Sequence, residues 1–419
     1  MKSQVFLQEA TALFQILSTH YHHLHQNAEL GFSLPKTVEY VENELEKMGI
    51  LAQKCGKSGL VATIGTKKGK CFLLRADMDA LPIEEEAYVS FPSEIGIMHA
   101  CGHDMHTAML LGAAALLKRH ENELCGTVKL MFQPAEETLE GAMDMLKNGV
   151  LENPPVDAAM MLHVLAGVPF PTGTTLISAP GISAPAADYF IIRVYGKGAH
   201  GSTPHLGVDP ISVSAHILLA LQNIHARELA SSDEAVLTVG KFESSSMAAN
   251  VIPDCVTMEG SLRAFDDNIR DFLKKRIKEI AEPMAEAFGA RADVLFGKGC
   301  PALINDETLS RSAEGFTVEL LGEKYAFSTK DIPSSGESGE RGVKGSGSED
   351  FAYVSHAVPS VMLAMAAGET TKGFPFPQHH PKVKFDENAL PIGAAVYAWN
   401  AFRWLESHQG VTTSPLFKF

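Results

Sequence analysis

The densest collection of reactive side chains in this sequence is His99-Ala-Cys-Gly-His103-Asp104-Met-His106, where a thiol, imidazoles and a carboxylate crowd into eight positions. Zinc and its neighbours in the transition series favour such donors. Any one of these residues alone reads as a satisfied core or surface group, but Cys101 and His103 together read as metal ligands. A second cluster, Phe132-Gln-Pro-Ala-Glu136-Glu137, sets adjacent carboxylates at a strand end just after a proline. Successive side chains of an extended segment point in opposite directions, so one carboxylate can bind metal while the other faces water or substrate. The plainer reading of the same pair is a solvated acidic helix start. Asp77 and Asp79, His163, the segment Gly196–His205 and the adjacent pair His379-His380 before Pro381 complete the candidates. Each of these is better read as structural when seen singly; their weight is joint.

The elements that must position these residues follow from periodicity. Apolar strand-like runs alternate with helical patterns: Cys71–Leu74, Thr107–Leu117, Thr127–Phe132, Gly141–Lys147, Val156–Leu162. That alternation predicts an α/β fold with a mostly parallel-sheet catalytic domain. Ligands of such sheets collect in loops at the carboxyl ends of strands. Asp77 and Asp79 follow one such run, Glu136 and Glu137 another, and His163 closes a third. Near Ser183–Ala187 the character changes. A half-buried alternation over Tyr189–Tyr195, a helix over Pro210–Leu229, strands around Val236–Phe242 and Val256–Phe265, and an amphipathic helix over Ile269–Phe288 predict an inserted smaller α/β sandwich. Its expected limits are 187–298, flanked by 1–186 and 299–419. The first pattern then resumes with a strand at Ser360–Ala366 and a helix over Leu390–Leu405. Ser328–Ser348, rich in Ser, Gly, Glu and Lys, predicts a surface loop.

Composition narrows the class. The chain has 419 residues, 45% of them hydrophobic and 20% charged, which is ordinary for folded soluble proteins. A formal charge of -15 opposes binding to nucleic acid or to anionic membrane surfaces. Met1–Phe14 interrupts its apolar residues with polar ones, unlike a signal peptide, and no run has the length of a membrane span. Six scattered cysteines without paired spacing read as reduced thiols. A cytoplasmic location is expected.

The motifs taken together resemble the amidohydrolase branch of the co-catalytic metallopeptidases, which includes hippurate hydrolase, bacterial aminoacylases and plant indole-acetyl-amino-acid hydrolases. The matching segments are His25–Phe32, Arg75–Pro82, Met98–His106, Phe132–Glu137, Gly196–His205, Gly347-Ser-Glu-Asp-Phe351 and His379–Pro381 with Phe385-Asp-Glu387. The resemblance implies two divalent metals held by Cys101, His103, Glu137, His163 and His379, with Glu136 as general base. It implies that His200, supplied from the partner subunit, polarises the scissile carbonyl while Asn250 and Arg263 hold a substrate carboxylate. It also implies a homodimer formed through the inserted lid or dimerisation domain. His379 rather than His380 is the expected ligand, because in the family the ligand lies two places before proline.

The expected reaction is hydrolysis of the amide bond in small N-acyl amino acids, with acetyl-diaminopimelate deacetylation and small-peptide cleavage as close alternatives. Thiolate and imidazole donors favour zinc, with manganese, cobalt and nickel compatible. Two readings of another class remain beside it: a thiol hydrolase using Cys101 beside His103, and a non-catalytic metal or amino-acid binding protein. The sequence also departs from the family pattern. Ala28 stands where proline is usual, and the 328–348 loop is longer than common. Arg75 and Asp77 stand where other branches carry a metal-binding His-x-Asp pattern, so Asp77 and Asp79 are read as supporting residues.

Overall fold

The strand Cys71–Asp77 is buried at every position, as expected for a strand covered on both faces. In a computed structural model describing residues 2–65, 68–332 and 347–409, it lies inside an eight-stranded sheet. The strand order is Ala52–Cys55, Gly59–Ile64, Thr127–Gln133, Cys71–Asp77, Ala158–Leu165, Ser360–Ala366, Thr175–Ile177, Ala326–Ser328. The central pairings, from Thr127–Gln133 through Ser360–Ala366, are parallel, while antiparallel pairings occur towards both ends. This is the mostly parallel α/β sheet expected, and its carboxyl ends carry Asp77, Gln133 and Leu165.

Helices His103–Arg119 and Ala389–Ser407 are buried along nearly their whole lengths. They approach closely because Gly112 has no side chain: a Cβ there would lie 2.8 Å from Ala394 Cβ. The Tyr397 hydroxyl accepts from the Leu162 amide at 3.0 Å and donates to the Arg75 carbonyl at 2.7 Å, pinning the last helix to two central strands. Gly102 precedes the first helix with φ +86, and a Cβ there would meet Val164 Cγ2 at 2.5 Å. Both the left-handed conformation and the lack of space demand glycine at this turn.

The chain divides into two compact units. One comprises Met1–Ser183, Ile304–Lys344 and Asp350–Phe419, the other Ala184–Leu303 with Gly345–Glu349. The second begins and ends slightly outside the 187–298 expected from sequence, because its strands Ala186–Tyr195 and Arg291–Cys300 run past those limits. That sheet is antiparallel, in the order Ala235–Ser244, Cys255–Ala264, Ala186–Tyr195, Arg291–Cys300. Helices Pro210–Asn223 and Asp267–Ala287 contribute Val213, Ile217, Leu221, Leu273, Ile277, Ala281 and Ala285 to a core of its own. The last four recur every fourth residue, the spacing that keeps one helical face inward. Asp266 caps that helix by accepting from the Asn268 and Ile269 amides. Most of the predicted 328–348 loop, residues 333–346, lies outside the described residues. Among the described residues, no helix is long and apolar enough to cross a membrane.

Candidate metal centre

Three loops at the carboxyl edge of the sheet bring the sequence candidates of the first unit together. Cys101 and His103 flank Gly102 at the start of the first buried helix, and His163 lies in the strand Ala158–Leu165. Glu136 and Glu137 follow the strand Thr127–Gln133, and His379 comes from the loop before the last helix. Cys101 Sγ is 3.5 Å from His163 Nε2 and 3.3 Å from His379 Nε2. Glu137 Oε1 is 3.5 Å from His379 Nε2 and 3.9 Å from His103 Nε2. Glu136 Oε2 lies 4.0 Å from His103 Nε2. Ligands about 2.0–2.3 Å from a shared ion at tetrahedral angles stand roughly 3.3–3.8 Å apart, so these separations suit a metal.

Two further observations fit the same group. His103 Nε2 and Glu137 Oε1 are buried and make no well-formed hydrogen bond among the described residues, an arrangement that costs free energy unless something binds there. His103 and His163 each donate through Nδ1 to a backbone carbonyl, of Asp79 and Val164, both at 2.7 Å. Such a bond fixes the ring and turns Nε2 into the cluster, as ligating histidines require. Cys101, His103 and His163 form one possible donor group, and Cys101, Glu137 and His379 another. Cys101 belongs to both, so the donors describe two adjoining positions.

Electrostatics favour the anionic forms. Burial raises the Cys101 thiol, but His163 and His103 outweigh it and bring the group down to about 6. Burial likewise opposes ionisation of Glu137, which His379 and His103 nevertheless hold below the usual carboxylate range. Burial acts against the charged forms of His103 and His163, yet Asp77 and Cys101 raise the first, and Cys101 raises the second to about 9. Hydrogen bonding to Cys101 and Glu137 raises His379 to about 10.

The adjacent histidines separate cleanly. His379 adopts a left-handed φ of 64° and enters the cluster. The His380 ring stacks on Phe376 with centroids 4.2 Å apart, and its Nδ1 accepts from the Lys382 amide at 3.0 Å. Ala135, at φ 54°, and Leu139, at φ 56°, flank the two glutamates. Non-glycine residues in this region carry strain that surrounding structure must sustain.

The two aspartates of Arg75–Pro82 serve the cluster from behind. The Asp79 carboxylate accepts from the Glu136 amide at 2.9 Å and the Glu137 amide at 3.2 Å, while its carbonyl orients His103. Asp77 accepts from Arg75 Nη1 at 2.7 Å and from His106 Nδ1 at 2.6 Å. His106 Nε2 accepts from the Val164 amide at 2.8 Å, so both of its nitrogens are engaged, although Asp77, His103 and His106 also stand close enough to form a possible donor group. Burial holds His106 at about 4, hence neutral, with its proton on Nδ1. The first motif acts as a brace: the Glu29 and Gly31 carbonyls accept from the amides of Ala80, next to Asp79, and Ala135, next to Glu136. Sequence reasoning assigned no role to Gln133, His106 or Asp350. For all three the signal was their place in the motifs Gly347–Phe351, Met98–His106 and Phe132–Glu137.

The remaining candidates belong to the second unit. His200 and Asn250 meet in a two-stranded clip, where Ala199–His200 pairs with Val251–Ile252 and Gly201 N–H donates to the Asn250 carbonyl at 2.8 Å. His200 Nδ1 accepts from the Ser202 amide at 3.1 Å, which leaves the proton on Nε2 as an outward donor. Arg263, on the strand Cys255–Ala264, donates through Nη1 to the Ser348 hydroxyl.

An α/β sheet whose carboxyl edge gathers a thiolate, three imidazoles and two carboxylates defines a metal-dependent hydrolase. The profile of peptidase family M20/M25/M40 matches residues 73–400. The chain is 37% identical over 391 residues to N-acetyl-L-cysteine deacetylase of Bacillus subtilis, covering 92% of this chain and 88% of that one. It is 36% identical over 389 residues to IAA-amino acid hydrolase ILR1-like 2 of Arabidopsis thaliana, covering 91% and 84%. The crystal structure of the Bacillus subtilis YXEP protein, a dinuclear metal binding peptidase from the M20 family, superposes with a TM-score of 0.75 at 31% identity, covering 94% and 99%. The chain therefore belongs to peptidase family M20/M25/M40, in its amidohydrolase branch, and is a metal-dependent amide hydrolase.

Proposed function

We propose that this enzyme hydrolyses the amide bond of small N-acyl amino acids, with Glu136 as general base beside two divalent ions held by Cys101, His103, Glu137, His163 and His379. The observation that carries the reading is the convergence of those five donors, two with buried atoms that lack a well-formed hydrogen bond, beside Glu136, which the groups Cys101–His103–His163 and Cys101–Glu137–His379 do not include. When bound, the ions polarise the carbonyl and acidify water, whose pKa falls from about 15.7 toward roughly 7 in favourable sites. Glu136 takes the proton of the attacking water and returns it to the leaving nitrogen. Asp79, through the two amides it holds, keeps base and ligand in register. Thiolate and imidazole donors favour zinc.

His200, with its Nε2–H outward, is suited to donate to the developing oxyanion. A guanidinium such as Arg263 can grip a carboxylate in bidentate fashion, and Asn250 beside His200 supplies an amide to the same end. We assign these three to substrate binding, with His200 contributed by the partner subunit of a homodimer formed through the second unit. The edge strand Ala235–Ser244 supports the dimer, since it leaves Val236 and Phe242 exposed and an open apolar edge invites pairing.

The relatives' names supply the panel for the test: metal-loaded protein is incubated with N-acetyl, N-benzoyl and indole-acetyl amino acids, and products are read by mass spectrometry. Release of free amino acid from at least one group is expected, and loss of that activity on chelation with recovery on metal return. No hydrolysis across the panel would overturn the substrate class. Activity that survives full metal removal would favour Cys101 as a nucleophile instead.

A further inference from the structure

The motif Gly347–Phe351 supplies no donor in the reading above, yet its Asp350 is fully buried. The Asp350 carboxylate binds both ends of a single loop. Gln133 Nε2, at the end of the strand Thr127–Gln133, donates to Oδ1 at 2.6 Å. The amide of Ala142, in the first turn of the helix Gly141–Lys147, donates to Oδ2 at 2.9 Å. Between those anchors run residues 134–141, which carry Glu136 and Glu137. Arg75 faces the same carboxylate, with Nη2 3.3 Å from Oδ1, and its Nε donates to Gln133 Oε1 at 2.9 Å. The same guanidinium reaches Asp77.

The loop needs such anchors. Ala135 and Leu139 are left-handed, and the chain doubles back so tightly that a Cβ on Gly141 would lie 1.6 Å from the Pro134 carbonyl oxygen. A strained segment persists only where its surroundings over-determine it. Asp79 holds the middle of the loop and Asp350 its two ends.

We propose that Asp350, with Arg75 as its counter-charge, is a positioning residue that sets the placement of Glu136 and Glu137 and thereby metal affinity and turnover. The proposal rests on the reading of Glu137 as ligand and Glu136 as base. Its test uses the full chain loaded with cobalt(II), comparing wild type with Asp350→Asn, Gln133→Met and Glu137→Ala. In Asp350→Asn, the side-chain NH2 replaces one acceptor and must face one of the two donors, so one anchor is lost. Gln133→Met removes one anchor while Asp350 keeps its charge paired with Arg75, and it decides the matter where Asp350→Asn fails to fold.

In the folded variants the visible absorption of bound cobalt should shift and cobalt affinity should fall about tenfold. kcat should drop about 10²-fold, with KM changing less than about threefold, as for a displaced but otherwise intact catalytic group. A lower melting temperature with a wild-type cobalt spectrum and wild-type kcat would mark a merely structural role and overturn the proposal, provided that Glu137→Ala alters the spectrum. An unaltered spectrum in Glu137→Ala would overturn the ligand reading, and this proposal with it.

Discussion

Two neighbouring carboxylates both approach His103 Nε2, Glu136 at 4.0 Å and Glu137 at 3.9 Å, and their substitution should separate the two tasks proposed for them. Glu136→Gln keeps the shape of the side chain and removes the proposed base, so metal content should stay at the wild-type value while turnover falls by about 10²–10⁴-fold. Retention of a tenth of the wild-type rate would remove Glu136 from that role. At the adjacent histidines, His379→Ala should lower metal content and activity together. His380→Asn should leave both close to wild type, since the His380 ring is occupied with Phe376 and Lys382. Metal analysis of the two variants reads the difference directly. That these cysteine, histidine and glutamate side chains would gather was legible in the sequence only from their joint weight, since each alone read as structural. The hydrogen bonds that aim them were not: Asp79 works partly through its carbonyl, and Gln133 and Asp350 meet only after folding brings distant segments side by side.

At the level of elements, the helix His103–Arg119 is anchored at its start by His25, whose ring nitrogens are 2.7 Å from Asp104 and 3.2 Å from Glu85. Burial alone would lower His25, but the two carboxylates outweigh it and raise it from 6.5 to about 9. A folded-state value above the unfolded one means that the charged ring stabilises the fold fully below about pH 6.5, and that this is lost as pH rises through about 9. The upper bound is about 3 kcal/mol. Urea unfolding of wild type should weaken over that interval, and His25→Gln, less stable at pH 6, should show a flatter profile there. A second element-level test is Gly141→Ala. Its new methyl would meet backbone, which cannot rotate away, so a loss of at least about 2 kcal/mol in urea unfolding is expected. Period and apolar runs revealed the long strands and buried helices near their observed limits. The short strands Thr175–Ile177 and Ala326–Ser328 left no such mark, because three residues do not establish a period and their pairing depends on distant partners.

For the whole molecule, the exposed His200 clip in the second unit and the donor cluster of the first divide the proposed chemistry between two bodies of the chain. If His200 acts in the partner's site, mixing inactive Glu136→Gln with inactive His200→Ala protein should regain activity, since one site of each mixed dimer would hold both wild-type groups. Absence of recovery after demonstrated subunit exchange would place the two groups in one chain. The charge and composition of the sequence spoke only to class at this scale; which surfaces pair is decided by edges and patches that appear after folding. The order of strands has a further consequence for how the protein is made. Ser360–Ala366 lies between Ala158–Leu165 and Thr175–Ile177, although the entire second unit is translated between Ile177 and Ser360. At about 5–20 residues per second, the first half-sheet waits on the order of ten to forty seconds on the ribosome with a central apolar edge unfilled. Chaperone demand during synthesis should therefore concentrate on this interval, and nascent chains stalled before Ser360 should be the ones that aggregate.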